Sequence, residues 1–554
     1  MKASIRELRH AQIFPVLEPN EIERLRRFST AASFSKDELI VRIGEAAPGM
    51  FIILEGEVVI TRKDALGSER LLVEAGPGNF VGELAQLSGR PSLVDVRAKS
   101  VVDTLLVTPK KLRAMLVEEA EIGERVMRAL ILRRVGLIEE GAGPVIVGHA
   151  AQADVLRLQT FLSRNGQPYL QLDPDTDQIA RTLMDQLHVS ERELPIVLRA
   201  DGQILLRPSE WELARSIGMV ERIDPDRVYD VAIVGAGPAG LATAVYAASE
   251  GLSVLVIDAR AFGGQAGASA RIENYLGFPT GISGLALMAR AYNQAQKFGA
   301  TVAIPQEVLT LESAPAPSRG RFLLRLREDE RVSARSVVIA SGARYRRLAI
   351  DNLDNFEGLT VHYWASPLER NLCTDEEIAL VGGGNSAGQA VVYLADKVAK
   401  LWLIVRGPGL EATMSRYLIE RISALSNVEL VTESEVVALE GHGGMLEAAR
   451  WRNRRSGQET RRNIRHMFLF IGADPNTAWL SQCDVALDEN GFVRTGAQLG
   501  SDRPALATSR GGVFAVGDVR AGSIKRVAAA VGEGAQVVAE LHGYLAASAD
   551  KPVS

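Results

Sequence analysis

Two glycine-rich turns, each entered from an apolar run and left through a helical segment, limit what this chain can fold into. In the first, Val231-Ala232-Ile233-Val234 leads into Gly235-Ala236-Gly237-Pro238-Ala239-Gly240 and then into Leu241–Ala248. Apolar residues without polar alternation mark a strand buried on both faces, as in a parallel sheet covered by helices. A second such run, Ser253–Ile257, ends on Asp258. In a strand–turn–helix of this kind Gly235 permits the tight turn and Gly237 lets backbone approach a pyrophosphate. Gly240 lets the helix pack close on the strand. The pyrophosphate would rest on free N–H groups at the helix N-terminus, and Asp258 stands where a carboxylate accepts from a ribose 2′-OH.

The pattern recurs. Glu377–Val381 is followed by Gly382-Gly383-Gly384-Asn385-Ser386-Ala387, a helical segment and a strand over 401–405. The step from Gly235 to Asp258, taken from Gly382, lands on Val405 with Arg406 beside it. An acid there would repel a ribose 2′-phosphate, whereas an arginine accommodates one. The second unit therefore reads as an NADPH site, with NADH the alternative if Arg406 is a solvated turn residue. Two units in one polypeptide imply a division of labour between a tightly held FAD and a transient nicotinamide. The protein aligns the two, and the cofactors carry the chemistry.

Length and composition fit such an enzyme. A chain of 554 residues exceeds one core and implies about three or four domains. A net charge of −5 offers no nucleic-acid or anionic-membrane surface. No apolar run long enough for a membrane span and no signal-peptide h-region is present, which points to the cytoplasm. Only two cysteines occur, Cys373 and Cys483, too far apart for a C-x-x-C motif and too few for a thiolate metal cluster. They read as inert packing residues. No side chain is assigned a catalytic role and no metal site is expected.

Five segments follow from the rhythm of the chain. Residues 1–140 carry short apolar alternations punctuated by glycines, a β-roll flanked by helical patterns over 19–28 and 109–138. Residues 143–222 alternate strands and helices in a small α/β unit. Residues 228–346 and 465–546 form the two parts of a first dinucleotide-binding domain, with a second, 347–464, between them. The fold class is α/β, with two Rossmann-like domains behind a roll and a smaller α/β domain.

Over about 228–546 the chain resembles the low-molecular-weight thioredoxin reductases. The matching landmarks are the two glycine motifs, Gly263-Gly264-Gln265, Ile272-Glu273-Asn274-Tyr275, Ala340-Ser341-Gly342-Ala343, Ile471-Gly472-Ala473-Asp474-Pro475-Asn476-Thr477 and Val516-Gly517-Asp518. The resemblance implies a homodimer with FAD bound through Gly264, Gln265, Asn274, Gly342, Gly517, Asp518 and Arg526. It places the nicotinamide on Gly382, Gly384, Asn385, Ser386 and Arg406. It departs in three places. The family's redox-active C-x-x-C is replaced by Trp364-Ala365-Ser366-Pro367, so a dithiol relay is excluded there. Its arginine cluster for the 2′-phosphate is thinned to Arg406, with Gly407 and Glu411 at other arginine positions, and its Arg-Gln flavin contact becomes Arg526-Val527.

Residues 11–135 resemble a cyclic-nucleotide-binding domain, with Gly82 and Glu83 in the stretch that matches its phosphate cassette. The arginine that should follow Pro91 is absent, with Arg90 preceding it and Arg97 further on. The roll is therefore read as a packing or dimerising element rather than a cyclic-nucleotide site. Residues 143–222 resemble a thioredoxin or glutaredoxin fold whose C-x-x-C position reads His149-Ala150-Ala151-Gln152, with Leu194-Pro195 where that fold places a cis-proline. The reading that results is a NAD(P)H-dependent FAD oxidoreductase with an unidentified electron acceptor, small molecule or redox protein. The alternatives are a flavin-based redox sensor and a ferredoxin–NADP reductase-like carrier.

Overall fold

A computed structural model of the chain describes residues 9–63, 69–82, 84–87, 90–139, 143–199, 202–220, 223–314 and 320–549. The N-terminal roll is two facing four-stranded antiparallel sheets. One runs Thr30–Phe34, Val102–Val107, Met50–Glu55, Phe80–Val81; the other runs Leu39–Val41, Asp95–Ala98, Val58–Lys63, Glu69–Ala75. The apolar run in Met50–Glu55 has a simple cause. Side chains alternate across a strand, and here both faces are covered. Met50 and Ile52 join the core shared with the flanking helices, and Phe51 and Ile53 join the core between the sheets.

The helical pattern over 109–138 is two helices, Pro109–Glu118 and Ala120–Glu139, broken at Glu119. The break lets the second helix cross close over the first, since a Cβ on Gly123 would lie 2.9 Å from the Leu116 carbonyl oxygen. The buried Glu119 carboxylate at the break is held by Arg24 and Arg27. Periodicity alone did not distinguish one helix from two.

The next unit has the strand order Leu170–Leu172, Val145–Val147, Ile196–Leu198, Ile204–Leu206, with the first pair parallel and the others antiparallel. Helices Ala153–Arg164 and Glu210–Ser216 pack on one face of it and Gln178–Leu187 on the other. The Leu194–Pro195 peptide is cis.

Beyond it, Thr301–Ala303, Val254–Ile257, Val228–Val234, Arg331–Ile339 and Val513–Ala515 make a parallel sheet, extended by the antiparallel strands Phe322–Leu326 and Val308–Ser313. Val513–Ala515 arrives from far along the chain, so this sheet is assembled from two separate stretches. Between them lies a five-stranded parallel sheet in the order Val361–His362, His466–Leu469, Glu377–Val381, Lys400–Ile404, Val428–Val431. Helices Asn385–Leu394 and Arg416–Ser423 cover one face, and a three-stranded meander, Ser434–His442, Met445–Asn453 and Glu459–Arg462, covers the other. The chain enters and leaves this inserted unit through two paired strands, Ala343–Tyr345 and Ala473–Pro475.

Candidate dinucleotide cleft

The first glycine turn is shaped by its own backbone. Gly235 has φ +114°, and a Cβ there would lie 2.2 Å from the Ala340 carbonyl oxygen. A Cβ on Gly240 would meet the Gly235 carbonyl oxygen at 1.9 Å. Packing therefore forbids a side chain at both. Gly237 differs: the nearest atom to its Cβ would be the Gly264 Cα, at 3.9 Å. It caps helix Pro238–Ser249, whose first N–H groups have no intrahelical partner.

Asp258 ends strand Val254–Ile257 and accepts from the backbone N–H groups of Ala236 (2.8 Å), Arg260 (3.0 Å) and Ala261 (3.1 Å). It so ties the first turn to the loop after the second strand. The Gln265 amide donates to the Ala343 carbonyl at 2.6 Å, joining the Gly263-Gly264 loop to the strand that leads to the inserted unit. Ser341 and Asn476 exchange side-chain-to-backbone bonds of 2.8 and 2.9 Å across the same junction. Gly517 follows Val513–Ala515 and donates its N–H to Glu533 at 2.6 Å, while Glu533 also holds Arg520. Burial raises the Asp518 carboxyl above its ordinary pKa, and the Lys525 ammonium opposes the shift.

These elements surround a cleft of about 980 Å³, lined by Gly235, Gly237, Asp258, Gly264, Gln265, Gly342, Gly517, Asp518 and Arg526, and by Ser386 from the inserted unit. Gly240 lies behind it, buried. Asn274 is exposed and does not line it.

Gly382, Gly384, Asn385 and Arg406 form the neighbouring turn. Gly382 has φ +141°, and its Cβ would meet the Phe470 carbonyl oxygen at 2.4 Å; around Gly384, the N-cap of helix Asn385–Leu394, nothing lies within 4 Å. Asn385 accepts from the Ser415 N–H at 2.7 Å, and Thr413 donates to the Gly383 carbonyl at 2.6 Å, which fastens the following loop to the turn. Arg406 is largely exposed, 3.8 Å from Glu435.

Trp364 and Ala365 also line the cleft. Trp364 donates to Glu369 at 2.9 Å, and Ser366 and Glu369 form the capping box of helix Pro367–Leu372. Cys373 and Cys483 are buried, free and in different cores. Burial pushes the Cys373 thiol well above its usual pKa.

In the roll, Gly82 borders a cavity of about 50 Å³ with Arg90, Ser92 and Arg133. The Arg133 guanidinium donates to the carbonyls of Ile13 (2.9 Å) and Gly82 (2.8 Å). Arg97 donates outward to the Asp37 carbonyl at 2.7 Å. Glu83 lies outside the described residues. His149 sits 3.0 Å from Asp175. Arg164, from the small α/β unit over 143–222, also lines the large cleft. Nothing in its sequence neighbourhood marks it, whereas Asn476 stood inside a recognisable motif.

The model for the pyridine nucleotide-disulphide oxidoreductase family matches residues 229–534, and that for the cyclic nucleotide-binding domain matches residues 31–119. The thioredoxin reductase of Mycolicibacterium smegmatis is 31% identical over 320 residues, 58% of this chain and 97% of that protein. The bifunctional thioredoxin reductase/thioredoxin of Mycobacterium leprae is 29% identical over 322 residues, 58% of this chain and 67% of that protein. The solved structure of Lactococcus lactis thioredoxin reductase (FR conformation) superposes with a TM-score of 0.53 at 26% identity, covering 58% of this chain and 99% of that one.

Proposed function

The chain belongs to the pyridine nucleotide-disulphide oxidoreductases, in their thioredoxin-reductase-like branch, and from that membership we propose an NAD(P)H-dependent FAD oxidoreductase that delivers electrons without a disulphide of its own. FAD and NADPH are the cofactors of that branch, and the cleft fits the first of them. Gly237 lines the cleft at the bare N-terminus of a helix, and no protein atom lies closer than 3.9 Å to where its Cβ would stand, so its backbone is open to a pyrophosphate. Asp258 would take the adenosine ribose, and Gln265, Gly342 and Asp518 the flavin half. Gly382 to Ser386 would seat the NADPH diphosphate and Arg406 its 2′-phosphate. FAD, when bound, supplies the two-electron chemistry between nicotinamide and acceptor.

The chain's own residues position and shield. Ser386 and the first glycine turn line one cleft, and this observation carries the reading. It favours a nicotinamide that docks beside the flavin site without a large domain rotation. Trp364 and Pro367 stand at the family's dithiol positions and offer no thiol, and both cysteines are buried apart from each other. The acceptor is then a small molecule or a redox protein that meets the flavin edge. The enzyme works as a cytoplasmic homodimer, and the roll, whose small cavity is lined by Arg133 with its guanidinium already bonded to backbone carbonyls, serves packing or dimerisation rather than cyclic-nucleotide binding.

Steady-state oxidation of NADPH with ferricyanide or a quinone tests the reading. Many turnovers per flavin, with NADPH preferred to NADH, support it. Stalling after a single reduction would favour a redox sensor, and no flavin bleaching by either nucleotide would sink it.

A further inference from the structure

The thioredoxin-like unit has no cysteine, yet it is fastened to the wall of the FAD cleft at several points. Helix Ala153–Arg164 ends there. The next residue, Asn165, donates its amide to the Phe161 carbonyl at 2.9 Å and across the domain boundary to the Arg260 carbonyl at 3.0 Å. Glu210, in the first turn of helix Glu210–Ser216, takes the Arg260 guanidinium at 2.8 Å. The loop that follows Asp258 is thus gripped by this unit through both backbone and side chain.

Between these grips lies the Arg164 side chain. Its Nη2 donates to the Gly264 carbonyl at 2.7 Å, and it lines the cleft with Gly237, Asp258 and Gly264. Its Nε is buried without a partner, and no carboxylate among the described residues forms an ion pair with it. A guanidinium carries five N–H donors. A half-buried guanidinium whose buried Nε lacks a partner is costly unless an anion meets it. Burial and the nearby Arg260 charge disfavour the protonated form, the Asp258 and Glu210 carboxylates favour it, and the net shift is downward.

We propose that Arg164 is a phosphate-binding residue of the FAD site, and that the cysteine-free unit serves the enzyme by closing that site rather than by carrying electrons. This rests on the FAD reading given above. The helix N-terminus at Gly237 offers only partial charges to the pyrophosphate. Arg164 adds a full charge and a fork of donors that matches phosphate oxygens, in the same stretch of cleft lining as Gly237 and Gly264.

The test uses the full chain stripped of flavin and titrated with FAD, read by quenching of flavin fluorescence. Arg164→Ala should weaken FAD binding by about tenfold to a hundredfold, as expected for loss of a charge-assisted contact. Arg164→Lys, which keeps the charge but not the fork, should fall between. The flavin-free melting temperatures should match that of the wild type. Equal FAD affinity in wild type and Arg164→Ala overturns the proposal. So does a loss that Arg164→Lys shares in full together with a drop in the flavin-free melting temperature, which would mark a structural role. A wild-type chain that binds no FAD would instead overturn the reading on which the proposal rests.

Discussion

The glycines of the first turn are bare for different reasons, and substitution separates those reasons. A methyl group at Gly240 would meet the Gly235 carbonyl oxygen at 1.9 Å, so helix and strand must part. Gly240→Ala should cost about 1–3 kcal/mol of stability, seen as a lower melting temperature of the flavin-free protein. At Gly237 the same methyl group meets nothing closer than 3.9 Å. Gly237→Ala should leave that melting temperature unchanged while weakening FAD binding about tenfold or more. A matching loss of stability would mean that the protein, not the ligand, keeps Gly237 bare. Arg406 invites a parallel comparison. Its alanine variant should raise the KM for NADPH about tenfold and leave the KM for NADH alone, as expected for loss of one phosphate contact. An equal effect on both would make Arg406 a solvated turn residue. These positions were legible in the sequence because each follows a buried-strand run at a fixed step.

Among the elements, the parallel neighbours Val361–His362 and His466–Leu469 bring two buried imidazoles to 3.1 Å. Desolvation, and for His362 the facing His466, lowers their pKa values to about 3 and about 4. The unfolded chain gains these protons below about pH 6.5, and the folded chain resists them. Stability is therefore full above pH 6.5 and falls as the pH drops towards the folded values. The loss should reach about 2 kcal/mol at pH 5 for each imidazole held neutral. Denaturant melts of the wild type and a His362→Phe variant across pH 7 to 5 check this, with a shallower slope expected for the variant. The paired strands Ala343–Tyr345 and Ala473–Pro475, which join the two dinucleotide units, give a kinetic prediction. If the nicotinamide docks without rotation, the rate of flavin reduction by NADPH should not fall as solvent viscosity rises. The long apolar strands of both sheets were legible, but these short pairs were not. Two to four residues carry no periodicity, and their pairing is decided by chain segments more than a hundred positions apart. The break at Glu119 escaped for a related reason: apolar spacing continues through it, and the cause is a close helix crossing at Gly123.

At the scale of the molecule, the chain surrounds one large cleft with parts from three units: the sheet that carries Asp258, the inserted unit that presents Ser386 and Trp364, and the small α/β unit over 143–222 that presents Arg164. The first two could be assigned from motifs. The third could not, because a contact between Arg164 and Gly264 leaves no mark at either position until the units are docked. On the proposal that Trp364 and Pro367 stand where the family's dithiol would, the flavin is the one expected store of electrons. An anaerobic reductive titration of the FAD-loaded chain with dithionite tests this most directly. The flavin should bleach completely after one two-electron equivalent per FAD, as for an isolated two-electron cofactor. Uptake of a second two-electron equivalent would reveal another redox group and contradict the account.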